Sequence, residues 1–228
     1  MHELVKRLLV PRNIGHDKIR IGPKHDGGYV VSRQCLENTT AVYSLGIGDD
    51  VEFDTEIAER GLPVYQYDGT IEQLPKLHEN FHFKSLMMDS QTLTTEIHLN
   101  NHASSENLLL KMDIEGYEYE LIGNIDWKIL DCFNQIVFEM HGCVNLDMVL
   151  PLLQKMSQQF VLIHLHSNNN DYRSNNGIPN VLELTWVNNR CFSSTTSCPI
   201  IGLDYANFND RPELLLDWWL PAEQRSSI

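Results

Sequence analysis

Glu139 and His141 in VFEMHG, and His164 and His166 in IHLHSNN, set ionisable side chains two apart at the ends of apolar runs. In an extended strand that spacing puts both members of a pair on one face. Asp113 and Glu115, in KMDIEG, follow a third apolar run. Groups of this kind are costly in buried strands unless each finds a partner. Three uses suit them equally: oxygen and imidazole ligands for a divalent ion, a general base for a hydroxyl proton, or a hydrogen-bond network. His141 and His166 are the candidate bases, with Asp113 beside them.

A second chemical feature lies upstream, in AVYSLGIGDDVEFD. Gly46 and Gly48 follow an apolar run, and such turns receive phosphate when basic or neutral. This one carries Asp49, Asp50, Glu52 and Asp54 with no Lys or Arg, so it repels phosphate. About twenty residues on, VYQYDGT ends in Asp68, where an acid accepts hydrogen bonds from ribose hydroxyls. A ligand with a ribose and a positive charge satisfies both features, and S-adenosylmethionine is one. A nicotinamide-dependent oxidoreductase uses the same strand–turn–acid logic, but it needs a third glycine that is missing here. A non-catalytic binding module on the same fold is the other alternative.

The elements that must hold these groups alternate. TAVYSLGI, VYQYD, FHFKSLMM, ENLLLKM and FNQIVFEM read as strands, with EFDTEIAERG, YEYELIGNI and LDMVLPLLQKMSQQ as helices. Pro151 kinks the last helix unless it lies in the first turn. FVLIHLHSNN and VLELTWVN follow without a helix between them and predict an antiparallel hairpin at the sheet edge. Strands alternating with helices give a mostly parallel sheet covered on both faces. KIRIG and GGYVVS flank PKHDGG as a preceding hairpin, whose turn Lys24–Gly28 either closes over a ligand or only reverses the chain. Residues 1–228 form one expected domain: an entry segment 1–40, a core 41–207 and a packing segment 208–228 containing Trp218 and Trp219.

The bulk numbers exclude some partners. With 17 basic and 31 acidic residues, the formal charge is −14, which disfavours nucleic acid and anionic membranes. No apolar run approaches the roughly 18 residues of a membrane span. Five cysteines, an odd number, show no CxxC pair, which favours a reducing, cytoplasmic setting over a disulfide framework. Cys143 reads as a small buried residue rather than a nucleophile.

DGGYVV, YSLGIGDDVEFD, YQYDGT, LLKMDIEGYEYELI, VFEMHG, IHLHSNN and LDYAN occur in this order. The set resembles the FkbM-like family of S-adenosylmethionine-dependent methyltransferases over about residues 20–207. KMDIEGYE is its most specific element. The resemblance implies an α/β class I methyltransferase fold, Rossmann-like, with a seven-stranded, mostly parallel sheet and a reversed edge strand. It implies an O-methyltransferase acting on a hydroxyl of a small molecule, a sugar or nucleotide sugar first. By position, Gly46, Gly48 and Asp49 would line the methionine end of the cofactor, Asp68 would hold the ribose, and Met88 or Asp89 would meet the adenine. Asp113 and Glu139 would be the ligands for Mg²⁺ or Mn²⁺ in metal-dependent relatives. Those relatives pair two adjacent acidic or amide residues where this chain has Glu139, Met140 and His141. Arg20, Lys24 and Arg173 lie where an anionic acceptor would pass.

Overall fold

A computed structural model describes residues 1–13, 15, 17–171, 177–191, 202–214, 216 and 218. Arg173, Cys198 and Trp219 lie outside the described residues.

Seven strands form one sheet: β3 (Ala41–Leu45), β4 (Val64–Tyr67), β5 (Phe81–Lys84), β6 (Leu108–Met112), β7 (Phe133–Met140), β8 (Phe160–Ser167) and β9 (Leu182–Asn188). Their order is β5-β4-β3-β6-β7-β9-β8. The neighbours from β5 to β7 pair in parallel. Only β9 runs against its two neighbours. The sheet is therefore the class I methyltransferase arrangement read from the sequence, with one refinement. The β8–β9 hairpin does lie at the edge, but the reversed strand is one position in, because β9 pairs with β7 as well as with β8.

Every residue of β3, β6 and β7 is buried, as expected of parallel strands covered on both faces. Alternation then divides the side chains. Tyr43, Leu45, Leu108, Leu110, Met112, Phe138 and Met140 enter one core. Helices α1 (His2–Leu8), α4 (Ser90–Leu99), α5 (Glu118–Asn124) and α7 (Leu146–Gln159) belong to this side. Helix α7 continues through Pro151 in its second turn; the missing N–H there forgoes one helical bond.

Val42, Leu109 and Val137 enter the opposite core with Phe53 and Ile57 of α3 (Glu52–Glu59). The N-terminal hairpin, β1 (Lys18–Ile21) and β2 (Tyr29–Ser32), joins this side as a separate antiparallel pair, followed by α2 (Arg33–Glu37). Side chains from the sheet dock it: Gln135 Oε1 accepts from Ser32 N at 3.1 Å, and Thr185 Oγ1 donates to Val30 O. The last segment reaches both sides of the sheet. Asn207 Nδ2 donates to Asp26 Oδ1 in the β1–β2 turn at 2.9 Å, and Trp218 packs on the main core. Among the described residues, no helix is long and apolar enough to cross a membrane.

Candidate active site

The carboxyl ends of β3, β4 and β6 open into a cavity of about 580 Å³, within the range of small-molecule sites. Gly46, Ile47, Gly48 and Asp49 form one wall, and Asp68, Met88 and Asp113 contribute others. His25, Asp26 and Gly27 of the β1–β2 turn also line it.

Two glycines make the turn for different reasons. Gly46 has φ of +75°, and a Cβ there would sit 1.6 Å from the Asp113 carbonyl oxygen. The turn and the end of β6 approach too closely for any side chain. Gly48 has φ of +60°, with nothing within 4 Å of an added Cβ. Its backbone is bare where a ligand must come close.

Asp68 has a role the sequence did not disclose. Its Oδ2 accepts from Ile47 N and Gly48 N, each at 2.9 Å. Its Oδ1 accepts from Thr70 N at 2.7 Å and Thr70 Oγ1 at 2.6 Å. Burial pushes this carboxyl up, but the bonds from Thr70, Gly48 and Ile47 outweigh it and hold the group below its ordinary range. The acid fixes the shape of the glycine turn as well as lining the cavity.

Asp89 is placed elsewhere. It caps α4, accepting from Thr92 N at 2.7 Å, and does not line the cavity; Met87 and Met88 occupy that wall instead.

Lys111 escaped the sequence reading. It lies on the hairpin side of β6, buried, and donates to Gly46 O at 2.6 Å. Tyr29 was missed too, and its hydroxyl donates to Asp113 Oδ2 at 3.4 Å. Both depend on a long-range docking that no local pattern encodes. The lysine is nevertheless visible as a charge inside the LLLKM run.

Asp113, Glu139 and His141 do converge: one ligand atom from each lies within 4.8 Å of the others. His141 Nδ1 is 3.2 Å from Glu118 Oε1. Its Nε2 is 3.8 Å from Asp113 Oδ1 and 3.5 Å from Glu115 Oε2. Glu118 is fully buried and also accepts from Ile114 N and Gly116 N. Burial pushes the His141 imidazolium down, yet Glu118, Asp113 and Glu115 prevail and raise it. Glu115 achieves its position with φ of +54°, an uncommon conformation for a residue with a side chain.

Glu139 is buried and accepts from Asn168 Nδ2 at 2.6 Å. Burial, then the charges of Asp113, Glu183 and Asp26, push it well above the usual carboxylate range. Two carboxylates and an imidazole at these separations suit a divalent ion as a donor set. One Glu139 oxygen is already engaged by Asn168, however.

Glu139, His141 and His166 do not themselves line the cavity; His141 borders it through Asp113 and Glu115, whereas His166 is held apart. Its Nδ1 is 3.0 Å from Glu183 Oε2 and its Nε2 is 2.9 Å from Glu213 Oε1. Burial pushes it down, but Glu183, Glu213 and Asp204 overcome that and hold it at about 10. With both nitrogens donating, it is a buried cation between acids and has no lone pair for a base. The reason is topological: β9 separates β8 from β7. His164 is likewise engaged, 2.7 Å from Asp204 Oδ1. Arg20 donates to Pro23 O and His25 O, so it braces the turn.

The fold and the cavity together define a class I, S-adenosylmethionine-dependent methyltransferase. The cavity suits that cofactor. It has a glycine turn open at Gly48, apolar Leu86 and Met88 in its wall, and more acids than bases in its lining, where Lys111 is engaged by Gly46 O. The family described as "Methyltransferase FkbM domain" matches residues 15–173, and the chain belongs to that family. Comparison with curated proteins finds no match. Among solved structures the chain is similar to precorrin-6y C5,15-methyltransferase from Geobacter metallireducens GS-15. The identity is 9% and the TM-score 0.35, over 73% of this chain and 96% of that one.

Proposed function

We propose that the chain methylates a hydroxyl group of a small, uncharged acceptor, a sugar before other compounds, with His141 as the general base. When bound, S-adenosylmethionine supplies an electrophilic methyl group on its sulfonium. The residues of the chain must then orient the acceptor oxygen and take its proton. Orientation alone is worth about 7–11 kcal/mol in favourable cases.

The observation that carries this reading is the arrangement around His141. The buried Glu118 carboxylate lies 3.2 Å from Nδ1 and favours a proton there, which leaves Nε2 as the acceptor in the neutral ring. That nitrogen faces Asp113 and Glu115, both of which line the cavity. A hydroxyl entering between those carboxylates meets hydrogen-bond acceptors and a base together. Neighbouring hydroxyls of a sugar suit the remaining carboxylate oxygens. The half-exposed ring of Tyr117 on the cavity wall offers an apolar face to the sugar ring.

The nucleotide-sugar version has weaker support, since a diphosphate would meet acids and Arg20 is already committed. A second reading adds a divalent ion at Asp113, Glu139 and His141, favoured by their donor separations. There the ion would lower the hydroxyl pKa. Residue roles at all these positions are part of the proposal. It is tested by incubating the protein with S-adenosylmethionine and a panel of sugars, with and without chelator. A product one methylene heavier supports the reading. Methylation confined to amines or carbons would replace it, and loss of product with chelator would select the metal version.

A further inference from the structure

Far from the cavity in function, Cys35 and Cys191 meet where the N-terminal hairpin joins the edge of the main sheet. Cys35 lies in α2 and is buried; Cys191 ends a short 3₁₀ turn after β9 and is half-buried. Both pack in one apolar cluster with Ile163 and Val187, where each thiol bears on the ionisation of the other.

The segments that carry them are fixed independently. Cys35 N donates to Ser32 Oγ at 3.2 Å, and Asn134 Nδ2 donates to Cys35 O at 2.8 Å. Arg190, next to Cys191, donates to Asp131 Oδ1 at 2.8 Å and Phe133 O at 3.1 Å. The encounter of the thiols is therefore built into anchored backbone. Their environments also differ. The neighbouring Cys35 thiol and the nearby Arg190 charge lower the Cys191 thiol against the effect of burial. The neighbouring Cys191 and burial both push Cys35 up. One sulfur is readily ionised and accessible, and its partner waits behind it, which is the usual arrangement of an oxidisable pair.

We propose that Cys35 and Cys191 are a modification site, forming a reversible disulfide when the protein meets a hydroperoxide. The Cys191 thiolate attacks the O–O bond, which breaks to release the alcohol or water, leaving a sulfenic acid on Cys191. The Cys35 sulfur then attacks that sulfur; the S–O bond breaks and the departing hydroxide takes the Cys35 proton as water. Two thiols lose two electrons and two protons, and the peroxide is reduced. A dithiol reverses the exchange. The bond ties α2 to the end of β9, across the junction that positions Tyr29 against Asp113.

The test is hydrogen peroxide treatment of the folded full chain, then alkylation in denaturant and digestion without reductant. A cross-linked peptide pair containing Cys35 and Cys191, two hydrogens lighter than its separate parts, is expected, and dithiothreitol should abolish it. Cys198→Ser should retain the pair and Cys191→Ser should lose it. The thermal midpoint of the oxidised wild type should rise relative to the reduced form, with no such rise in Cys191→Ser. Alkylation of both thiols after oxidation, a bond from Cys191 to Cys198 instead, or sulfinic acid on Cys191 without a cross-link would each overturn the proposal.

Discussion

Asp68 accepts a hydrogen bond from the backbone of Gly48 at 2.9 Å, so the acid at the end of β4 shapes the glycine turn at the end of β3. Asp68→Ala leaves the N–H groups of Ile47 and Gly48 without that acceptor, at about 1–3 kcal/mol for each donor left buried. The variant should therefore melt lower and bind S-adenosylhomocysteine more weakly. The folded pKa of this group is depressed. Its contribution is thus intact above its unfolded value of about 3.9 and is lost as pH falls through the lower folded value. Wild-type melts recorded between neutral pH and about pH 3 should show a loss that Asp68→Ala has in part already suffered. An equal acid dependence in both proteins would remove this role.

The two turn glycines separate stability from binding. Gly46→Ala drives a Cβ into the Asp113 carbonyl and should cost at least about 3 kcal/mol, seen as poor folding in chemical denaturation. Gly48→Ala meets no protein atom and should cost only about 1–2 kcal/mol for its left-handed backbone. Its methyl group would instead intrude on bound cofactor. Equal destabilisation of the two variants would contradict the geometry.

His141→Ala should lower turnover by about 10²–10⁴-fold while cofactor affinity stays near wild type. Because its surrounding acids raise the His141 pKa, turnover should climb with pH through an inflection above the ordinary histidine value of about 6.5. Replacing Glu118 by Gln should shift that inflection down. A flat pH profile would take His141 out of the chemistry.

His166 is a prediction about stability. Its folded value of about 10 lies above the unfolded one. Its contribution is therefore complete below about pH 6.5 and disappears as pH rises through about 10. His166→Ala should leave Glu183 and Glu213 facing each other and cost about 3–5 kcal/mol at neutral pH. Surviving variant should still bind S-adenosylhomocysteine. A variant as stable as wild type at pH 7 would show that the pair of acids had other relief.

Much of this arrangement is legible in the chain because strand alternation is local. The runs ending at Leu45, Met112 and Met140 announce parallel strands, and a period of two places Glu139 and His141 on one face of theirs. What alternation cannot supply is the order of strands. His166 looks equivalent to His141 in sequence, and only the insertion of β9 between β7 and β8 takes it away from the cavity and pairs it with Glu183. Tyr29 and Asp26 reach the site through docking of a hairpin held by Gln135 and Thr185, a contact between distant segments. Asp89 follows the opposite course: as a helix cap it answers to the three residues after it, and Met88, the other residue expected by the adenine, is the one that lines the cavity.

The central claim is that this cavity holds S-adenosylmethionine through the Gly46–Gly48 turn. Calorimetric titration of the folded protein with S-adenosylhomocysteine, beside Gly48→Ala, tests it most directly. Saturable binding by the wild type, weakened in a Gly48→Ala protein that still unfolds cooperatively, is the result this account predicts. No binding by folded wild type, or equal affinity in the two proteins, would contradict it.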